Sequence, residues 1–167
     1  MDKKKIFEKI ANVQPIIIKL VIVIAFYFAV AFLGASFTDA SSDWYQSLIL
    51  PDIQPPPMIF MYVWSFLYLL LGVLTGLTVT DENFTESFKN LLFLNGILNV
   101  LWSYAFFLHE NPLGALLVLL GNFYVAYLIF RKFDMIKPLY GYLFIPYLVW
   151  LTFAIYLNYA ILFLNPI

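Results

Sequence analysis

The polar and aromatic side chains inside the apolar segments have the most chemical capacity in this sequence. Asn95, Asn99 and Trp102 are spaced i, i+4 and i+7, so a helix would present them on one face. Amide groups and an indole N–H form hydrogen bonds, and an indole ring stacks on flat apolar molecules. The spacing therefore predicts a helix face that lines a ligand pocket or packs against neighbouring helices.

Two other apolar segments carry similar stripes. Trp64 and Tyr68 are spaced i, i+4. The longest stripe is formed by Trp150, Phe153, Ala154, Leu157 and Asn158. Three such faces would enclose a flat, aromatic-lined cavity with few polar groups, as is usual for sites that bind large apolar ligands. Amides between membrane helices also act as packing contacts worth about 0.6–2 kcal/mol each, so both interpretations stay open at this point.

Conventional catalytic groups are scarce. The chain has no cysteine, which excludes disulfides, thiol nucleophiles and thiolate metal sites. The only histidine, His109, stands beside Glu110 at the end of an apolar segment, where a surface position is expected. No metal site is predicted. The apolar segments hold no carboxylate pair, and ion-driven transport normally needs ionisable groups within the membrane.

The composition is that of a membrane protein. Of the 167 residues, 63% are hydrophobic and 11% are charged, with a mean hydropathy of +0.89, against about 25% charged in an average soluble domain. A net charge of −1 argues against a nucleic-acid partner, because such a partner would need a basic patch. The length leaves room for one domain.

Five stretches have the length of about 20 residues that a transmembrane helix needs. They are approximately residues 16–37, 58–80, 88–108, 113–130 and 139–164. The fourth is short and the fifth contains Pro146, so four helices or a kinked fifth helix are the alternatives, although proline is tolerated within membrane helices. We therefore predict an all-α membrane protein, a single bundle of five transmembrane helices.

The basic residues fall in connections that five spans would place on one side of the membrane. They are Lys3, Lys4, Lys5, Lys9 and Lys19 at the start, Lys89 after the second span, and Arg131, Lys132 and Lys137 after the fourth. The positive-inside rule then predicts a cytoplasmic N-terminus and an exterior C-terminus, in a bacterial cytoplasmic (inner) membrane or its equivalent.

The one long connection, residues 39–57, combines three Asp, the pair Trp44–Tyr45 and four Pro. Proline-rich backbone is stiff, which predicts either a cap over a ligand site or a surface loop with aromatic side chains at the membrane interface. A second motif, formed by Gly72 and Gly76, indicates a close helix contact. Packing within the chain and a homodimer seam are equally compatible with it.

Several of these residues belong to a larger set of residues whose order and spacing are specific. The set comprises Trp44–Tyr45, Pro51, Pro55–Pro56, Trp64, Leu67–Tyr68, Leu98–Asn99, Trp102, Phe106–Phe107, Pro146–Tyr147, Trp150, Phe153–Ala154 and Leu157–Asn158. It resembles the translocator protein family, also called tryptophan-rich sensory proteins or peripheral-type benzodiazepine receptors.

The resemblance implies a five-helix bundle, commonly dimeric, that binds tetrapyrroles such as protoporphyrin IX and haem, benzodiazepine-type drugs and, in some members, sterols. No cofactor is required besides the tetrapyrrole ligand. The implied ligand-binding residues are Trp44, Tyr45, Trp64, Tyr68, Asn95, Asn99, Trp102, Pro146, Trp150, Phe153, Ala154, Leu157 and Asn158.

A membrane sensor or regulator is the function that this resemblance favours. The alternatives are facilitated transfer of porphyrin or sterol, and an enzyme that degrades porphyrin with light and oxygen, for which Trp64, Trp102 and Trp150 would be redox partners. Two departures bear on ligands. Leu50 replaces a lysine that often precedes Pro51, and no basic residue follows Tyr159, so the C-terminal sterol pattern is incomplete.

Overall fold

Long apolar helices make up most of the chain. The structure is a computed structural model that describes residues 3–165, with side chains from residue 17 onward. Its helices are α1 (Lys3–Phe37), α2 (Asp43–Ser47), α3 (Pro57–Thr78), α4 (Glu86–Ser103), α5 (Pro112–Ile136) and α6 (Pro138–Leu164), and α4 continues as one π-helical turn, Tyr104–Leu108. The described residues form no strand, and five helices are long and apolar enough to cross a membrane. The predicted all-α architecture with five membrane-spanning helices is confirmed.

The helix bounds differ from the predicted ones mainly at the start of α1 and the end of α5. Helix α1 begins at Lys3, and α5 runs to Ile136, six residues beyond its predicted end. Helix α6 continues through Pro146 without a break, and the side chain of Pro146 is exposed. Lys137 has an extended backbone (φ −160°, ψ 123°), as the residue before a proline prefers, and Pro138 then begins α6. The basic cluster of Lys3, Lys4, Lys5 and Lys9 lies outside the residues whose side chains are described.

Side-chain caps and prolines fix where the helices begin. The hydroxyl of Thr85 accepts the backbone N–H of Phe88 at the start of α4 (3.3 Å), and Asn111 Oδ1 accepts that of Gly114 at the start of α5 (2.8 Å). Such caps satisfy N–H groups that have no partner within the helix. Helices α3, α5 and α6 each start on a proline, where the missing N–H costs nothing.

Glycines let α1 pack closely against α3 and α4. A Cβ atom built on Gly76 would lie 2.7 Å from Leu20, and one on Gly72 would lie 3.7 Å from Tyr27. On α4, a Cβ at Gly96 would lie 2.5 Å from the ring of Phe26. The Gly72–Gly76 motif therefore serves packing within the chain, and α1 covers the face that a homodimer seam would have used.

The two ends of the bundle are filled differently. At the end where α4 begins, Phe88 and Phe133 lie edge to face with ring centroids 5.0 Å apart, and Phe144 follows 5.5 Å from Phe133. All three side chains are fully buried. The opposite end, beneath the first loop, contains the cavity described next.

Candidate ligand-binding site

A hydrogen-bonded cluster of amides joins α4, α5 and α6 at mid-bundle. Asn95 Nδ2 donates to Asn122 Oδ1 (2.6 Å) and to Tyr147 Oη (2.8 Å), and Asn99 Nδ2 donates to the same phenol oxygen (2.9 Å). Asn122 Nδ2 donates back to Asn99 Oδ1 (3.1 Å). All four side chains are buried. The two asparagines predicted to face a ligand are thus satisfied by protein groups, and they do not line the cavity.

A cavity of about 360 Å³ lies next to this cluster, among α1, α3, α4 and α6 and beneath the first loop. It holds seven of the predicted ligand-binding residues: Tyr45, Trp64, Tyr68, Trp102, Ala154, Leu157 and Asn158. These residues come from the first loop and from three helices, so the stripes on α3, α4 and α6 do converge.

Four other predicted residues lie outside the cavity wall. Trp44 packs against the π-helical turn beneath the loop, and Pro146 is exposed on the outer face of α6. Trp150 and Phe153 form a layer behind the wall, where the Trp150 ring lies 5.5 Å from Phe153 and 5.5 Å from the cavity residue Phe60. The indole N–H of Trp150 is buried without a hydrogen-bond partner among the described residues.

The wall formed by α1 was not predicted. It consists of Ala31, Gly34 and Ala35, followed by Thr38 just beyond the end of the helix, and these small side chains leave the space empty. A Cβ atom on Gly34 would come no nearer than 3.8 Å to Ser103. The available signal was their spacing of three to four residues, which puts small side chains on one helix face.

Two stacked aromatic pairs give the cavity its flat surfaces. Trp64 stacks on Tyr68 (centroids 5.4 Å apart, planes 27° apart), and Trp102 stacks on Phe106 (5.6 Å, 25°). The Trp102 indole N–H donates to Asn158 Oδ1 (3.1 Å), and the Asn158 amide donates to a backbone carbonyl at the start of α5 (2.8 Å). These hydrogen bonds hold the Trp102 ring in place.

The roof of the cavity has one unused hydrogen-bond acceptor. Gln54 Nε2 donates to Tyr45 Oη (3.4 Å), while Gln54 Oε1 is buried without a partner among the described residues. Burial raises the pKa of Tyr45, so its phenol stays protonated. Asn165 holds the loop to the end of α6, since it accepts the N–H of Ile49 (2.8 Å) and donates to its carbonyl (2.9 Å).

The cavity is neutral and open on one side. None of the described residues that line it is Asp, Glu, Lys, Arg or His. Ala35, Met61 and Ser65 belong to the wall and are exposed, so the cavity opens between α1 and α3. Apolar groups would therefore bind without meeting a buried charge.

Fold and cavity together define a membrane protein of five helices with a neutral, aromatic-lined site at one end. The model of the TspO/MBR family matches residues 22–164. The chain is 34% identical over 157 residues to the tryptophan-rich protein TspO of Chlorobaculum tepidum, covering 90% of this chain and 98% of that protein.

Other relatives agree in extent. A tryptophan-rich protein TspO of Archaeoglobus fulgidus is 34% identical over 152 residues, covering 89% of this chain and 98% of its own. Protein CrtK of Rhodobacter capsulatus is 32% identical over 139 residues, covering 80% and 84%. The chain belongs to the TspO/MBR family and is an integral membrane protein, which confirms the family resemblance of its motifs.

Proposed function

We propose that this protein is a membrane sensor or regulator that binds tetrapyrroles, such as protoporphyrin IX or haem, and other flat apolar ligands, such as benzodiazepine-type drugs. The observation that carries the proposal is the pair of stacked aromatic walls, Trp64 on Tyr68 and Trp102 on Phe106, in one neutral cavity. A flat ring gains about 0.5–1.5 kcal/mol from each aromatic contact beyond the burial of its area.

The polar groups of such a ligand would be divided between the roof and the opening. Gln54 Oε1 is a buried acceptor without a partner among the described residues, and a pyrrole or amide N–H of the ligand would satisfy it. The described residues of the cavity wall offer no cation to a carboxylate, and Leu50 stands where a lysine often occurs in the family. Propionate groups would therefore point out through the opening between α1 and α3.

The size of the cavity agrees with this orientation. Small-molecule sites have volumes of about 300–1,000 Å³, and this one, at about 360 Å³, is near the lower limit. A drug-sized molecule fits within it, whereas a porphyrin macrocycle would extend between Ala35 and Met61 into the lipid-facing opening. The bilayer is then a partner in binding, because it solvates the part of the ligand that protrudes.

The charge pattern supports one orientation of the site in the membrane. The described basic residues lie at the end of the bundle opposite the cavity: Lys19, Lys89, Arg131, Lys132 and Lys137. By the positive-inside rule, we place that end and the N-terminus in the cytoplasm, and the cavity and the C-terminus towards the exterior. The expected membrane is a bacterial cytoplasmic membrane or its equivalent, and a homodimer remains part of the proposal.

A titration with protoporphyrin IX tests the binding proposal. Quenching of tryptophan emission in the detergent-solubilised protein should saturate, and Ala31→Phe, which fills the α1 wall, should weaken binding at least about tenfold. Ala29→Phe is the matched control, since Ala29 lies on the same helix, is exposed and is not part of the wall. Quenching that does not saturate, or equal effects of the two substitutions, would contradict the proposal.

A second candidate is light- and oxygen-dependent breakdown of bound porphyrin. It is favoured by the position of Trp64 and Trp102 on the cavity wall, where an excited pigment would be in contact with both indoles. Illumination in air should give a new product spectrum that is lost in Trp64→Phe and Trp102→Phe but kept in Trp44→Phe, because Trp44 lies outside the wall. Equal bleaching by all variants would exclude this activity.

A further inference from the structure

A second cavity lies at the other end of the bundle, between α1, α3 and the beginning of α4, with a volume of about 480 Å³. Its mouth carries three charged side chains, Lys19, Asp81 and Lys89. Lys19 belongs to the first turn of the apolar span Ile17–Phe37, and Lys89 to the first turn of α4. The mouth therefore lies where a membrane-spanning bundle meets the lipid headgroups.

The lining below the mouth of this cavity, which we name the Lys19–Lys89 cavity, is mostly apolar. Ile22 and Leu92 belong to its walls, and Tyr27 and Thr75 lie at its deep end. Tyr27 is eight residues beyond Lys19, which is about 12 Å along a helix. The Tyr27 and Thr75 hydroxyls bond to each other (3.2 Å), so neither needs a polar ligand. The cavity thus combines a charged mouth with an apolar depth.

The lining of the mouth has two lysines and one aspartate, and a second carboxylate, that of Glu86, lies just outside the lining. Asp81 Oδ1 is already engaged by the backbone N–H and the amide of Asn83 (2.8 and 3.0 Å). Lys89 pairs with Glu86, but both side chains are exposed, and such a surface pair contributes little. The Lys89 ammonium also lies 5.9 Å from the Phe84 ring. A phosphate that is bound by both Lys19 and Lys89 would compete well with Glu86 for the Lys89 ammonium.

We propose that the Lys19–Lys89 cavity binds an anionic phospholipid, with its phosphate between the two lysines and one acyl chain along the apolar wall. A phosphodiester with one negative charge would pair with Lys19 and would take the place of Glu86 beside Lys89. Basic pockets between membrane helices at the cytoplasmic face are suited to such headgroups. The apolar depth favours a lipid over a free phosphate ion, which would leave it unfilled. This site is distinct from the cavity beneath the first loop, and its occupancy does not depend on tetrapyrrole binding.

Native mass spectrometry of the detergent-solubilised protein tests the proposal. Dioleoyl phosphatidylglycerol, phosphatidylethanolamine and phosphatidylcholine are titrated separately, with inorganic phosphate as a fourth arm. We expect saturable binding of one phosphatidylglycerol per chain, with about tenfold preference over the two zwitterionic lipids and no retained phosphate ion. Equal binding of the three lipids would overturn the choice of an anionic headgroup, and retention of phosphate alone would reduce the site to an anion site.

Charge substitutions show where the lipid binds. Lys19→Gln and Lys89→Gln should each weaken phosphatidylglycerol binding about fivefold, and both positions are exposed, so folding is retained. Lys137→Gln is the matched control, with the same change of charge at the same end of the bundle but outside the cavity. An equal effect of Lys137→Gln would show general surface attraction and overturn the proposal. Unchanged protoporphyrin IX binding in all three variants would show that the first cavity is intact.

Discussion

Tyr147→Phe removes one oxygen atom from the centre of the bundle and leaves the ring in place. That oxygen accepts the amide N–H groups of Asn95 and Asn99 at 2.8 and 2.9 Å. The Tyr147 side chain is fully buried, and its ring lies edge to face with Phe144 (5.3 Å). The substitution therefore tests the amide cluster without creating a large cavity.

The expected loss follows from the two hydrogen bonds. Side-chain hydrogen bonds in membranes contribute about 0.6 kcal/mol on average and at most about 1.7, so two bonds set an upper limit of about 3 kcal/mol. Neither donor is left unpaired, because Asn95 Nδ2 keeps Asn122 Oδ1 and Asn99 Nδ2 keeps the Asn95 carbonyl (2.8 Å). We expect the free energy of unfolding to fall by about 1–2 kcal/mol, which lowers Tm by about 2–8 °C for a chain of this size.

Reversible unfolding in mixed detergent micelles gives the free energy, and Tyr142→Phe is the control. Tyr142 lies on the same helix but is 69% exposed, so its substitution should change the free energy by less than about 0.5 kcal/mol. Equal losses for the two variants would refute the hydrogen-bonding role of Tyr147. Protoporphyrin IX affinity should be the same in both, because neither tyrosine lines the cavity.

Three further outcomes follow from other contacts. Protoporphyrin IX dimethyl ester should bind with an affinity within about threefold of that of the free acid, because none of the described residues of the wall is a cation and the loss of an ion pair would reduce the affinity further. A hundredfold loss of affinity, measured by the same fluorescence titration, would reveal a cation at the site. Asn165→Ala releases the first loop from α6 and should raise the ligand dissociation rate in stopped-flow measurements, whereas an unchanged rate would show that the loop does not control release. Gly96→Ala should lower the free energy of unfolding by about 1–3 kcal/mol through overpacking, since its Cβ would lie 2.5 Å from Phe26, while Gly121→Ala, with open space around it, should be neutral or stabilising; equal effects would contradict the close α1–α4 packing.

The helices could be predicted from the sequence because apolar length is a direct requirement of the bilayer. The end of α5 could not be predicted, because charged residues such as Arg131, Lys132 and Asp134 are equally typical of a helix that continues into water and of a loop. Pro146 was a sound reason to consider a break in α6, yet the helix continues through it, as membrane helices tolerate proline.

The site residues could be predicted only where the helix face of a residue is enough to determine what the residue contacts. Ala154 and Asn158 share a face of α6 and both line the cavity. Asn95 and Trp102 share a face of α4, but one bonds to α5 and α6 whereas the other lines the cavity. Periodicity gives the face of a residue and not its depth along the bundle. The small residues of the α1 wall were not predicted, because small side chains in an apolar helix do not stand out from their neighbours in hydrophobicity.

Competition between two ligands tests most directly whether one cavity binds flat apolar molecules. Isothermal titration with protoporphyrin IX should give one site per chain, and a saturating benzodiazepine-type drug should displace it completely. Ala31→Phe should weaken the binding of both ligands, and Ala29→Phe should weaken the binding of neither. Independent, additive binding of the two ligands, or binding that is unaffected by Ala31→Phe, would contradict the assignment of the cavity between α1, α3, α4 and α6 as the ligand site.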